Sequence, residues 1–337
     1  MSTVFNEETI QEAANQIKAG NLVAFPTETV YGLGADATNE TAVKKVYQAK
    51  GRPSDNPLIV HVADVSQVEK YAVINDRARK LMDKFWPGPL TIILPIKPNA
   101  LSKTVTGGLN TAAFRNPANK KTIELIKLAG VPIVGPSANT SGKPSPTKVE
   151  HVLHDLDGKI AGVLDDGETK IGVESTVIDI SGEIPSILRP GAITREDLLT
   201  VLPNVQTPHH KVGKNEIPKA PGMKYKHYAP SAQVYIVKDE KWNEVFNLMK
   251  NKPNEVFGLM ATDKIYSENG FDKLSNVKFK TLGNDVSSAS YHLFDGLRTF
   301  DLDDSIKEIY AQGFDETKLG VAYMNRLKKS SGNTFFE

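Results

Sequence analysis

Residues 131–145 read Val-Pro-Ile-Val-Gly-Pro-Ser-Ala-Asn-Thr-Ser-Gly-Lys-Pro-Ser. An apolar strand, Val131–Val134, runs straight into a loop with four hydroxyls, one amide and two glycines. A buried strand ending in short polar groups is how α/β sheets present a ligand site at their strand ends. Hydroxyls and free backbone N–H groups there suit phosphate or ribose oxygens. The GxxxxGK[ST] spacing is absent, so this is not a Walker-type loop. The competing reading is a solvated Ser/Gly loop.

Working outward, the first 200 residues alternate helical and strand patterns. Ile10, Ala13, Ala14 and Ile17 repeat at helical spacing and stop at Gly20; Ala42, Val43, Val46 and Tyr47 form a second such face. Ala78, Leu81, Met82 and Phe85 form a third, stopped by Pro87-Gly88-Pro89. Strands are expected at Leu22–Phe25, Leu58–Val62, Thr91–Leu94, Ala112–Phe114, Ala161–Leu164 and Thr176–Ile180, with a closing helix at Arg195–Leu202. The pattern predicts a mixed α/β domain with a twisted sheet over residues 1–208. Residues 209–230 lose the apolar period and read as a linker. From 231 to 337 the alternation restarts. Strands are expected at Val234–Val237, Val256–Leu259 and Val277–Lys280, and helices at Trp242–Met249 and Ala289–Phe300, which predicts a smaller Rossmann-like α/β domain.

The chain has 337 residues and no cysteine, which excludes disulfides and thiolate metal sites. The N-terminal residues show no secretory signal pattern and no run is long enough to span a bilayer, so the expectation is a cytoplasmic protein with no membrane contact. Net charge is +1, which argues against a protein built to coat nucleic acid. The basic character is concentrated: residues 209–230 hold five lysines against Glu216 alone, and three of the seven histidines.

Two further segments carry chemistry. Pro26-Thr27-Glu28-Thr29-Val30-Tyr31-Gly32-Leu33 follows a strand and offers two hydroxyls, a carboxylate and a phenol for a small polar ligand; a threonine-capped turn is the alternative. Lys50-Gly51-Arg52-Pro53-Ser54-Asp55-Asn56-Pro57 puts two cations around a glycine, an arrangement that can hold a polyphosphate, Lys as point charge and Arg as planar fork. Offset of the helix dipole accounts for Lys50 but leaves Arg52, held between glycine and proline, unexplained. Thr111 and Arg115 around a strand, Glu174-Ser175-Thr176, Leu188-Arg189-Pro190-Gly191 and a lone His61 are bland one by one.

Taken together, FPTETVYGLG, AKGRPSDNPLIVH, GPSANTSGKPS, ESTV and LRPGAI resemble the YrdC-type threonylcarbamoyl-AMP synthase family in order and spacing, across most of residues 20–195. PGMKYKHYAP and the α/β unit after it resemble that family's longer, two-domain form. The resemblance implies a nucleotidyltransferase that joins L-threonine, bicarbonate and ATP and releases pyrophosphate. Its product serves threonylcarbamoyl modification of the tRNA adenosine beside the anticodon, through downstream partner proteins. It further implies threonine-binding roles for Thr29, His61, Arg115 and Ser175. ATP-binding roles fall to Lys50, Arg52, Asn56, Thr111, Ser137, Asn139, Ser145 and Arg189, with Lys50 and Arg52 the catalytic cations. Attack of a carbamate oxygen on the α-phosphorus needs no protein nucleophile, only positioning and charge neutralisation. Mg²⁺ is expected on the ATP phosphates and no protein metal site is expected. A weak direct tRNA contact is allowed.

The rival reading is an RNA-binding module without ATP turnover; near-neutral charge and the lack of interleaved aromatic and basic residues speak against it. A related carbamoyltransferase would need zinc-binding cysteines. For residues 209–230 the expectation is a lid over the nucleotide, with Lys224, His227 and Tyr228 as its working side chains. Pro218, Pro221 and Pro230 would stiffen it, and closure would exclude water from a labile intermediate.

Overall fold

The computed structural model describes residues 1–207, 218–220 and 227–337. Contacts divide the chain into two compact units. The first holds residues up to Ser141, Ser145–Lys170 and the residues from Glu174 into the linker; the second holds Gly142–Pro144, Ile171–Val173 and the remainder to Glu337.

In the first unit the elements run β1 (Thr3–Phe5), α1 (Ile10–Lys18), β2 (Val23–Phe25), β3 (Gly32–Asp36), α2 (Glu40–Lys50), β4 (Ile59–His61), α3 (Val65–Glu69), α4 (Asp76–Phe85), β5 (Leu90–Pro95), α5 (Lys103–Thr106), β6 (Thr111–Arg115), α6 (Lys120–Ala129), β7 (Ile133–Val134), α7 (Val149–Leu156), β8 (Gly162–Leu164), β9 (Thr176–Asp179), β10 (Ser186–Arg189) and α8 (Arg195–Leu199). The ten strands form one mixed sheet in the order β1-β8-β2-β3-β7-β4-β6-β5-β9-β10. The second unit runs β11 (Gln233–Val237), α9 (Trp242–Asn251), β12 (Val256–Ala261), α10 (Asp263–Glu268), β13 (Val277–Thr281), α11 (Val286–Asp301), β14 (Ile306–Gln312) and α12 (Leu319–Ser331), with an all-parallel sheet in the order β11-β14-β12-β13. Both sheets match the fold expected from the alternation.

The helices start where local chemistry satisfies their free N–H groups. Asn39, Asn75 and Asn119 cap α2, α4 and α6 by accepting from the third backbone N–H onward. Gly20 and Gly51 end α1 and α2 at φ 75° and 60°, a backbone only glycine adopts without strain.

The two sheet faces differ, and the difference places the site. One face (Ala35, Val134, Val60, Phe114, Ile92, Ile178) packs on α2, α4 and α7 through the largest apolar cluster. On the other face, α1 and α6 cover only the end carrying Val23, Phe25 and Ile133. Pairing registers set Ile133, His61 and Arg115 side by side. They also put Ile59, Ala113 and Ile93 in one row, Thr111 beside Pro95, and Thr91 beside Val177. Side chains alternate between faces along a strand, so all of these share this second face, and beyond Ile133 no helix among the described residues covers it.

The sequence pattern missed β3. Its two glycines are required by close packing: a Cβ on Gly32 would stand 2.7 Å from the Phe25 ring, and one on Gly34 2.6 Å from the Val23 carbonyl oxygen and 3.0 Å from the Phe25 ring. It also missed the short edge strands β1 and β10.

Candidate active site

The loop joining antiparallel β2 and β3 is built around Thr27. Its hydroxyl donates to the Val30 carbonyl at 2.6 Å, accepts from the N–H groups of Thr29 and Val30, and lies 2.8 Å from the Thr29 hydroxyl. The capped-turn reading of this segment is therefore correct for Thr27, and the turn aims Thr29 and Glu28 at Arg115. The last residue of β6, Arg115 is 4% exposed; its Nη1 donates to Thr29 Oγ1 at 2.9 Å and its Nη2 lies 2.8 Å from Glu28 Oε1. That second contact is ionic only, since neither atom is aligned for a hydrogen bond. Glu28 Oε2 accepts from the Ala118 N–H at 3.0 Å.

His61 stands next to Arg115 across the β4–β6 pair, with its ring edge-on to Phe25 at 5.1 Å. Burial, helped by the Arg115 guanidinium, holds its imidazole well below the usual histidine range, so it is neutral at physiological pH. Gly135 closes this corner: a Cβ there would collide with Phe25 and with His61 Nδ1.

Glu28 Oε1, Asn56 Oδ1, His61 Nδ1, and Arg115 Nε and Nη2 are all buried without a hydrogen-bond partner. A buried group with neither a hydrogen bond nor an ion pair, as at Asn56 Oδ1, His61 Nδ1 and Arg115 Nε, costs about 1–3 kcal/mol. Glu28, Asn56 and His61 fall in two of the quoted stretches and Arg115 stands beside His61 in the sheet; such a gathering is the mark of a site whose partner is a ligand.

The two cations of the second motif are turned inward. Lys50 is 2% exposed at the end of α2, and its ammonium donates to the carbonyls of Ser137 and Asn139, the latter at 2.6 Å. It thus fixes the backbone of the polar loop from which the sequence argument began. Ala138 and Leu33 tie that loop to the β2–β3 turn through Ala138 N–H to Tyr31 carbonyl and Leu33 N–H to Pro136 carbonyl. Arg52 follows the left-handed Gly51, and its Nη2 donates to the Asn56 and Pro57 carbonyls at 3.3 and 3.2 Å. Tyr47 holds the same segment, donating to the Asn56 carbonyl; burial pushes its phenol up to about 12.

At the far end of the face, Arg189 Nε and Nη2 donate to the Ser175 carbonyl at 3.1 and 3.0 Å, and Nη2 also to Ser175 Oγ. A register shift between Ile187 and Arg189 sets Arg189 opposite Val177, on the site face; an unbroken strand would have turned it toward the core with Ile187. Gly191 permits the close approach, because a Cβ there would lie 2.2 Å from the Thr176 nitrogen. Ser175 Oγ is 2.8 Å from Thr91 Oγ1, and Ser145 Oγ donates to Glu174 Oε1 at 2.6 Å. Thr111, at the start of β6, is 8% exposed.

The structure thus brings Thr29, Arg115 and His61 into one cluster, Lys50 with Ser137 and Asn139 into a second, Arg52 with Asn56 into a third, and Ser175 with Arg189 into a fourth. Glu28, Thr91 and Glu174 lie among them, though sequence reasoning gave them no role. Nothing in local spacing announces a partner; Arg115 lies 86 positions beyond Thr29. The only sequence signal was that Glu28 and Glu174 sit inside motifs already singled out. Of the segment expected to act as a lid, Lys224 lies outside the described residues. His227 and Tyr228 fall in the second unit, where the Tyr228 ring is 5.1 Å from Phe294. Ala220 is buried against Ile59, Ile93, Ala113 and Val177 on the site face, and Lys219 Nζ lies 3.0 Å from Asp179 Oδ2.

The chain is similar to known proteins along nearly its whole length. A family model named Sua5_yciO_yrdC, described as Telomere recombination, matches residues 15–191, and one described as Threonylcarbamoyl-AMP synthase, C-terminal domain, matches residues 193–332. A Bacillus subtilis protein named Threonylcarbamoyl-AMP synthase is 47% identical over 97% of this chain and 94% of its own length. A Pyrococcus abyssi protein of the same name is 45% identical over 96% and 94%. The crystal structure of P. abyssi Sua5 complexed with L-threonine superposes with a TM-score of 0.91 at 41% identity, covering 99% of both chains. The chain belongs to the Sua5/YciO/YrdC family, in the form that also carries the threonylcarbamoyl-AMP synthase C-terminal domain.

Proposed function

We propose that this chain is a threonylcarbamoyl-AMP synthase, making L-threonylcarbamoyl-AMP from L-threonine, bicarbonate and ATP with release of pyrophosphate. Relatives carrying that name at 45–47% identity across nearly the whole chain support the reading. The rival RNA-binding module finds no support among them. The observation that carries the proposal is the buried Arg115, held by Thr29 and Glu28, with Nε and Nη2 lacking hydrogen bonds.

In this reading Arg115 receives the threonine carboxylate, because a planar fork suits a carboxylate better than any other cation. Thr29, His61 and Ser175 complete the threonine pocket; a neutral imidazole can accept from a hydroxyl where an imidazolium cannot. ATP takes the neighbouring groups, Arg52, Asn56, Thr111, Ser137, Asn139, Ser145 and Arg189. Lys50 acts by holding the Ser137–Asn139 backbone in shape and adding positive charge beneath the phosphates. The carbamate oxygen then attacks the α-phosphorus and pyrophosphate leaves, a step that depends on alignment and charge compensation. Mg²⁺ is proposed to arrive on the ATP phosphates. Among the described residues no three His, Cys, Asp or Glu side chains converge as a metal cage, and no step above is assigned to the ion. Transfer of the product to tRNA adenosine by partner proteins and a cytoplasmic location belong to the same proposal. No helix among the described residues is long and apolar enough to cross a membrane.

The test is pyrophosphate release with ATP and bicarbonate, each amino acid supplied in turn. Threonine should lead, serine should be intermediate and valine poor, since an unpaired buried polar partner costs about 1–3 kcal/mol. Equal turnover of threonine and valine would sink the proposal.

A further inference from the structure

We infer that Glu28 is a catalytic residue that receives the substrate's α-ammonium and takes its proton as the amine is carboxylated. The inference rests on the proposed function and adds a second charged contact to the amino acid's site.

Glu28 is fixed on three sides. Its carbonyl accepts from the Lys170 N–H at 3.2 Å, its Oε2 accepts from the Ala118 N–H, and its Oε1 touches Arg115 Nη2. Its side chain is only 9% exposed, yet Oε1 makes no hydrogen bond. Beside it, Arg115 Nε and Nη2 also make none. A carboxylate oxygen and a guanidinium nitrogen, 2.8 Å apart and both lacking hydrogen bonds, match a ligand bearing a cation and an anion on neighbouring atoms. An α-amino acid carries its ammonium and carboxylate on one carbon.

Charge gives the same answer. Glu28 and Arg115 are neutral together, and burial keeps the adjacent His61 uncharged. A ligand with a carboxylate alone would add an uncompensated negative charge to a buried site, which is costly. A zwitterion adds none.

The chemistry balances. One ammonium proton passes to Glu28 Oε1, which frees the nitrogen lone pair. That pair forms an N–C bond to the carbon of bicarbonate and one C–O bond breaks. The departing oxygen leaves as water, carrying the bicarbonate proton and one amine proton, and the carbamate remains. Glu28 returns its proton to solvent when the product departs.

The experiment measures binding, not turnover. Affinities of L-threonine and of 3-hydroxybutyrate, the same molecule without its amino group, are compared by calorimetry in the full-length protein and in Glu28→Gln. The wild type should favour threonine by about 10- to 100-fold, the range of a hydrogen bond to a charged group. In Glu28→Gln that preference should fall to about threefold or less, with 3-hydroxybutyrate binding at least as tightly as before because its carboxylate now compensates Arg115. If Glu28 merely props Arg115, both ligands weaken together and the ratio is unchanged, which overturns the inference. Should Glu28→Gln fail to fold, Glu28→Asp carries the test: an intermediate ratio supports the assignment and an undiminished one refutes it. A wild-type protein that neither binds threonine nor releases pyrophosphate overturns the proposed function, and this inference with it.

Discussion

Replacing Arg115 by methionine tests both the energetics and the chemistry of the buried pair. The two side chains are 4% and 9% exposed, so solvent screens them little, and removing one partner leaves the other as an uncompensated buried charge. That situation costs about 3–5 kcal/mol. In a protein of this size about 1 kcal/mol shifts a melting transition by about 2–4 °C, so the first unit should melt about 6–20 °C lower. The double variant Arg115→Met with Glu28→Gln removes the stranded charge. An amide can still accept from the Ala118 N–H, so about half of the lost stability should return. Activity should return in neither variant, because the carboxylate clamp is gone. Thermal and denaturant unfolding give the stabilities, and pyrophosphate release with threonine gives the activity. A loss below about 1 kcal/mol in the single variant would refute the reasoning, because it would mean water reaches the pair. A double variant no more stable than the single would refute it too, by showing that the stranded carboxylate was not the cause.

Two further outcomes follow from the same geometry. Arg52→Ala should lower pyrophosphate release by about 100-fold or more and melting by about 2–12 °C, the cost of a stranded buried acceptor, and Arg52→Lys should also be impaired, since one ammonium does not reproduce the fork; near-normal turnover in Arg52→Ala would leave that arginine only its contacts to the Asn56 and Pro57 carbonyls. His61 is held well below 6.5 in the fold, so the unfolded chain binds a proton there that the folded chain does not. Its contribution to stability is complete above 6.5 and is lost as pH falls from there toward the folded value. The pH dependence of melting between about pH 7 and about pH 5 should flatten in His61→Gln, and an unchanged slope would rule out the buried neutral imidazole.

The sequence by itself determined the periodic elements and the residue types at the strand ends. Ala13, Ala14 and Ile17 on α1, and Val43 and Val46 on α2, bury the faces their spacing announced, because helical period and burial are the same fact seen twice. The resemblance of the motifs to a known family likewise pointed to Thr29, Lys50, Arg52, His61, Arg115, Ser137, Asn139, Ser175 and Arg189. Pairing across the sheet was beyond it. That His61 and Arg115 stand side by side depends on the β4–β6 register, and that Arg189 faces the site depends on a one-residue shift in β10; neither leaves a trace in local spacing. The glycine-rich β3 was invisible because its purpose is to make room for Phe25, a contact made by a different strand. Glu28 shows the same division: its presence in a polar loop was legible, but its partner was not. Only the assembled sheet brings Arg115 to it, in a place dry enough for one charge to need the other.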